Sequence, residues 1–249
     1  MKSLILNQGR AVTVAMKIHT VLWSVICLIF LSFLIVDNVA AQDCDGFTIN
    51  GMASNQIEIQ DVCNVAQQAT DFLRQCGIES SEDFNITIQE RLTHVSGLPV
   101  FAFFHSPNNQ ITITDFESFK NLIDVDSAYY KLPNDDLYKS LIAHEVTHAI
   151  SLNCQIIAES DCSRVALEYI ASVVQVASMN NNTRQILLSE FPRSSPVELE
   201  MFNEFVFYSS PQWFVANAYR HYKQIDNECE FLRNILKGEI QFLGGFDFE

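Results

Sequence analysis

Residues 134–153, NDDLYKSLIAHEVTHAISLN, decide the fold. On a helix, Leu137, Leu141, His144 and His148 share one face, while Ile142, Val146 and Ala149 lie opposite. A helix that is apolar on several sides belongs inside a core. Asn134 or Asp135 can cap its start, with Asp135 and Asp136 well placed in the first turn. From Ile142 to Asn153 the only charged side chain is Glu145.

His144-Glu145-Val146-Thr147-His148 is an HExxH motif. Histidines four residues apart stand one above the other and can share a tetrahedral zinc, and the glutamate beside the first can reach a metal-bound water. Buried histidines near a carboxylate need a partner, and a metal is one solution. The alternative is a chance HExxH whose histidines are hydrogen-bonded core residues.

A catalytic zinc takes three protein ligands and keeps one position open. Glu159, Asp161, Glu168 and His221 follow downstream. A histidine six residues after His148 would indicate a metzincin, but Cys154 occupies that position. Glu168 lies 20 residues after His148, in a helical stretch expected from Asp161 to about Met179. A short connection over 153–160 would fold that helix back antiparallel and bring Glu168 level with the histidines. Glu168 sits among Val165, Ala166, Leu167, Ile170 and Ala171, where an unpaired charge would be costly. Glu159 and Asp161 fall in the expected turn, with Asp161 at the cap position.

Outward from this pair the pattern divides. Val62, Val65, Ala66, Ala69, Phe72 and Leu73 recur at helical spacing over 58–76, closed by Gly77. Alternation at Phe84, Ile86 and Ile88, an apolar run at Pro99–Phe104, and Ile111 with Ile113 predict three strands. A short helix is expected over 116–123, and further helices near 183–191, 196–208, 211–224 and 228–237. The fold class is α+β: a small N-terminal sheet packed on the HExxH helix, then a helical C-terminal half.

Residues 1–41 carry Lys2, Arg10, Lys17 and Asp37 as their only charges, then an apolar run from Thr20 to Val36. Val39-Ala40-Ala41 fits signal-peptide cleavage before Gln42, leaving 42–249 as one domain. The other reading of 1–41 is an uncleaved N-terminal membrane anchor. The protein is thus expected to be secreted, periplasmic or at the cell surface. Past Cys27, the cysteines at 44, 63, 76, 154, 162 and 229 make an even set, which suggests three disulfides. Cys154 and Cys162 flank the turn between the ligand-bearing helices and form the first expected pair. A net charge of −15 argues against nucleic-acid binding, which needs a basic footprint.

HExxH followed about 20 residues later by a glutamate on a second helix resembles the gluzincin branch of zinc metallopeptidases, with thermolysin-like spacing. The resemblance implies Zn2+ as cofactor, His144, His148 and Glu168 as ligands, and Glu145 as general base. It also implies an edge strand that holds an extended peptide or protein substrate, for which Pro99–Phe104 is the candidate. Thermolysin-like enzymes carry an aspartate four residues after the third ligand, where this chain has Ser172. The motifs His144–Ala149, Glu168–Ala171 and Tyr219-Arg220-His221 are similar to those of small exported bacterial proteins of unknown activity. His221 is a candidate donor to the oxyanion, or else a surface histidine beside Arg220. His94 and His105 show no ligand spacing. The expected function is peptide hydrolysis by an exported zinc-dependent enzyme. The alternatives are an inactive zincin-like binding protein and a disulfide-stapled protein without metal.

Overall fold

The computed structural model describes residues 39–44, 47–52, 56–80, 83–93, 97–158, 163–193 and 195–242. The expected signal segment up to Asn38 lies outside them, as do His94, Glu159, Asp161 and Cys162, and with Cys162 the expected Cys154–Cys162 pair. The expected cleavage point falls inside the first strand. Beyond it, Gln42, Asp43 and Cys44 retain their partners Ile49, Thr48 and Phe47.

Among the described residues five strands form one mixed sheet: β1 Val39–Cys44, β2 Phe47–Met52, β3 Phe84–Gln89, β4 Ala102–His105 and β5 Gln110–Thr114. Their order is β1-β2-β3-β5-β4, with parallel pairing of β3 to both β2 and β5. β1 and β4 are the antiparallel edges. The three expected strands are all present, the apolar run contributing only its second half. β1 and β2 were not anticipated: β1 holds the small residues read as a cleavage site, and in β2 the alternation of Phe47 and Ile49 is broken by Gly51.

Helix α1, Gln56–Gln75, joins β2 to its parallel neighbour β3, as a parallel pair requires. Ile59, Val62, Ala66, Ala69 and Leu73 are buried along one face, at the spacing that predicted the helix. Gly77 closes it with φ of 69°, while Ile78 N donates to Leu73 O at 3.0 Å. α2 is the short Phe116–Phe119 helix. α3, Asn134–Ala158, holds HExxH and packs on both α1 and the β4 edge. Its second turn is tied to the sheet and to α1 through Tyr138, whose hydroxyl lies 2.7 Å from Glu58 Oε1 and 3.0 Å from Thr114 O. Glu58 also accepts from Phe116 N at 2.6 Å, although burial raises its pKa.

α4, Arg164–Ser178, begins after the expected Asp161, because the Ser163 side chain accepts from Ala166 N and caps it. α5 is Asn181–Glu190. The helix expected over 196–208 is broken. A 3-10 turn at Leu199–Met201 precedes α6, Glu204–Ser209, which is restarted by Asn203 accepting from Val206 N. α7, Pro211–Tyr222, and α8, Glu228–Leu236, complete the helical half. One buried core takes in residues from Cys44 to Phe242.

Two disulfides join described residues. Cys44–Cys63 ties β1 to α1, and Cys76–Cys229 ties the end of α1 to α8 across a sequence separation of 153. Such bridges suit an oxidising compartment. No described helix is long and apolar enough to cross a membrane. Removing the long-range bridge by Cys76→Ser with Cys229→Ser should cost roughly 2–5 kcal/mol of unfolding free energy. Urea titration of the two proteins checks this, and equal midpoints would show that the staple contributes nothing.

Candidate metal centre

His144 and His148 stand one turn apart on α3, their rings tilted by 78° at 4.7 Å between centroids. Glu168 reaches them from α4. His148 meets Glu168 and His144 meets Gln175 further along α4, so the contacts run in opposite chain directions, as in an antiparallel pair. The sequence signal for this was the apolar character of both helices, which packs them together and leaves their few polar groups facing each other.

Three atoms converge. His144 Nε2 is 3.0 Å from His148 Nε2, and Glu168 Oε2 is 3.2 and 3.5 Å from the same two nitrogens. A tetrahedral site with metal–ligand bonds near 2.0–2.1 Å has edges of about 3.3 Å. The observed triangle therefore fits a small divalent cation at its centre, and the group could hold a metal ion.

The histidine tautomer reinforces this. His144 Nδ1 lies 3.1 Å from the Gln175 side-chain oxygen, and the Gln175 amide nitrogen donates to the Tyr129 hydroxyl at 3.2 Å. An acceptor at Nδ1 places the ring proton there and leaves the Nε2 lone pair facing the carboxylate. That 3.2 Å approach is satisfied either by a second proton on Nε2 or by a cation between the two groups. Burial disfavours charge on His144, but the hydrogen bond and charge of Glu168, with Glu145 and Gln175, raise its pKa. Burial likewise works against the Glu168 carboxylate, yet the two histidines hold it far below the usual carboxylate range. Both directions express a demand for positive charge at this point.

Gln175 was not anticipated. It lies seven residues, two helical turns, after Glu168 on the same face of α4, in a helix with few polar side chains. Ser172 Oγ is buried without a hydrogen-bond partner and takes no part. Burial pushes the Tyr129 phenol up to about 12 against the Gln175 hydrogen bond, so it stays protonated near neutral pH.

The triad opens on a cleft of about 450 Å³ lined also by Glu145, Arg164, Phe207 and the edge strand β4 from Ala102 to Phe104. The candidate edge strand and the candidate base therefore share one hollow with the triad. A cavity of about 770 Å³ beside Arg193, Arg220 and Lys223 is larger, but two of these cations have structural partners and Arg193 lies over the Trp213 ring. Arg220 donates to the Leu188 and Phe191 carbonyls at the end of α5, and Lys223 pairs with Glu228.

His221 is not brought to this cleft. It is 7% exposed, its Nδ1 lies 2.7 Å from the Tyr169 hydroxyl, and the rings of Phe202 and Phe231 flank it. Burial lowers its pKa despite Glu198 and Glu200. The oxyanion role expected for His221 is corrected to a core contact: α7 packs on α4 with this side chain turned toward Tyr169. His105 bonds Asn108 in the β4–β5 connection. Trp213 and Phe214 pack on Phe202.

A protein-family model described as a family of unknown function (DUF6639) matches residues 49–244. No curated protein and no solved structure matches the chain.

If Gln175 orients His144, Gln175→Ala should weaken divalent-metal affinity about 10–100-fold, while Ser172→Ala changes little. Competition against a graded chelator reads both. Equal affinities for the two variants would remove Gln175 from the site.

Proposed function

This chain belongs to the DUF6639 family of unknown function, and we propose that it is an exported zinc-dependent metallopeptidase. The observation that carries the proposal is the triangle of His144 Nε2, His148 Nε2 and Glu168 Oε2 on one cleft with Glu145. Two imidazoles and a carboxylate suit zinc better than calcium or magnesium, which prefer all-oxygen shells. Three protein ligands leave one position for water or substrate.

Zinc held there supplies a Lewis acid for a carbonyl oxygen and for water. The chain's own residues supply the rest. Glu145 is the general base, accepting a proton from the attacking water and returning it to the leaving amine. Gln175 keeps the His144 ring in register. β4 is an edge strand, so the backbone groups on its open side are available to an extended peptide, and Phe103 adds apolar surface. The two disulfides accord with an exported protein.

The purified chain should bind about one zinc, lost in His144→Ala with His148→Ala. Glu168→Ala should lower zinc affinity sharply, while Glu159→Ala and Asp161→Ala leave it nearly intact. Metal analysis after graded chelator challenge checks these variants. Retention by Glu168→Ala together with loss in either of the others would overturn the ligand set.

Glu145→Gln should keep zinc and abolish hydrolysis, since the amide cannot accept the proton. A peptide-library digest of both proteins reads this. Equal cleavage would exclude Glu145 as base, and peptide binding without cleavage by either protein would favour a binding module.

A further inference from the structure

The cleft holds two acids and one permanent cation. Arg164 is the only Lys or Arg among its lining residues, in a chain with 15 basic against 30 acidic side chains. It stands at the first position of α4, one turn before Glu168 on the same face. A cation at a helix N-terminus opposes the macrodipole, so this position costs stability rather than adding to it. Among the described residues no ion pair with a carboxylate involves it. Its Nη1 instead donates to the Tyr208 hydroxyl at 2.6 Å, and Tyr208 is 60% exposed on α6 beside the cleft residue Phe207.

A divalent ion would be balanced by Glu145 and Glu168, leaving Arg164 without a carboxylate partner among the described residues. The α4 N-terminus adds positive potential at the same end. A guanidinium in that position, steadied by one bond to a tyrosine, matches a planar carboxylate.

We propose that Arg164, positioned by Tyr208, makes this cleft select substrates that carry a carboxylate next to the segment lying over the metal. The carboxylate is either an acidic side chain or the C-terminus of the peptide. This rests on the metal-site reading and gives it a substrate class. Arg164 contacts substrate away from the reacting atoms and sets specificity, while Glu145 remains the base.

The test uses zinc-loaded full protein and a pair of peptidyl hydroxamates, one ending in a carboxylate and the other in the corresponding amide. The hydroxamate anchors to the metal whether or not the protein hydrolyses anything. Calorimetry should show the carboxylate probe binding about tenfold tighter than the amide, the scale of one charge-assisted hydrogen bond. Arg164→Gln should remove that difference without weakening the amide probe. Tyr208→Phe should reduce it in part, and Arg164→Lys should restore only part of it. A second probe pair, with an Asp or Asn side chain and a blocked C-terminus, separates the two carboxylate sources. Equal binding of acid and amide in both pairs, or discrimination that survives Arg164→Gln, overturns the proposal. Discrimination without peptide cleavage would uphold Arg164 while contradicting the peptidase reading. Cleavage without acid preference would do the reverse.

Discussion

Three polar atoms on two helices point at one spot, and only protons on the histidines or a bound cation relieve their mutual repulsion. His144 Nε2, His148 Nε2 and Glu168 Oε2 lie within 3.5 Å of one another or closer. In a low-dielectric setting such a cluster is unfavourable until a cation enters it. A proton shared between the histidines satisfies one edge of the triangle, whereas a metal satisfies all three. The surrounding apolar packing supplies the stability that the site itself does not.

The same logic extends outward through Gln175 to Tyr129. A histidine can present Nε2 to a metal only if Nδ1 has an acceptor, and that acceptor must itself be held. The residues from Tyr129 to Gln175 to His144 form such a chain, linking the 3-10 turn at Ala128–Lys131 to α4 and α3. On the other side of α3, Tyr138 bonds Glu58 and the Thr114 carbonyl, fixing the helix against the sheet whose edge borders the cleft. The distance between β4 and the triad is thereby set by core packing and not by loop conformation.

Much of this was legible in the sequence, and for physical reasons. A helix buried on several sides shows its polar residues by contrast, so HExxH and Glu168 stood out against their neighbours. Helix α1 was equally plain, with its apolar period and terminal Gly77. Strands β1 and β2 were not: the small residues of β1 read as a cleavage site, and Gly51 breaks the alternation of β2. The break at Asn203 was hidden because a side-chain cap can interrupt a helical pattern without changing its apolar period. His221 misled because it stands beside Arg220, with Tyr219 before it and Tyr222 after it, which suits a surface site as well as a core contact. Only tertiary packing against Tyr169, Phe202 and Phe231 decides between them. Gln175 was readable in principle, two turns beyond Glu168, but a glutamine in an apolar helix has many explanations until its partner is seen.

The central claim is that two imidazoles and one carboxylate of this chain form the first coordination sphere of zinc. X-ray absorption at the zinc edge, on full protein loaded with one equivalent, tests it most directly. The account predicts a light-atom shell at about 2.0–2.1 Å, outer-shell scattering from two histidine rings, and no sulfur contribution. A zinc–sulfur shell near 2.3 Å, or the absence of imidazole scattering, would contradict it.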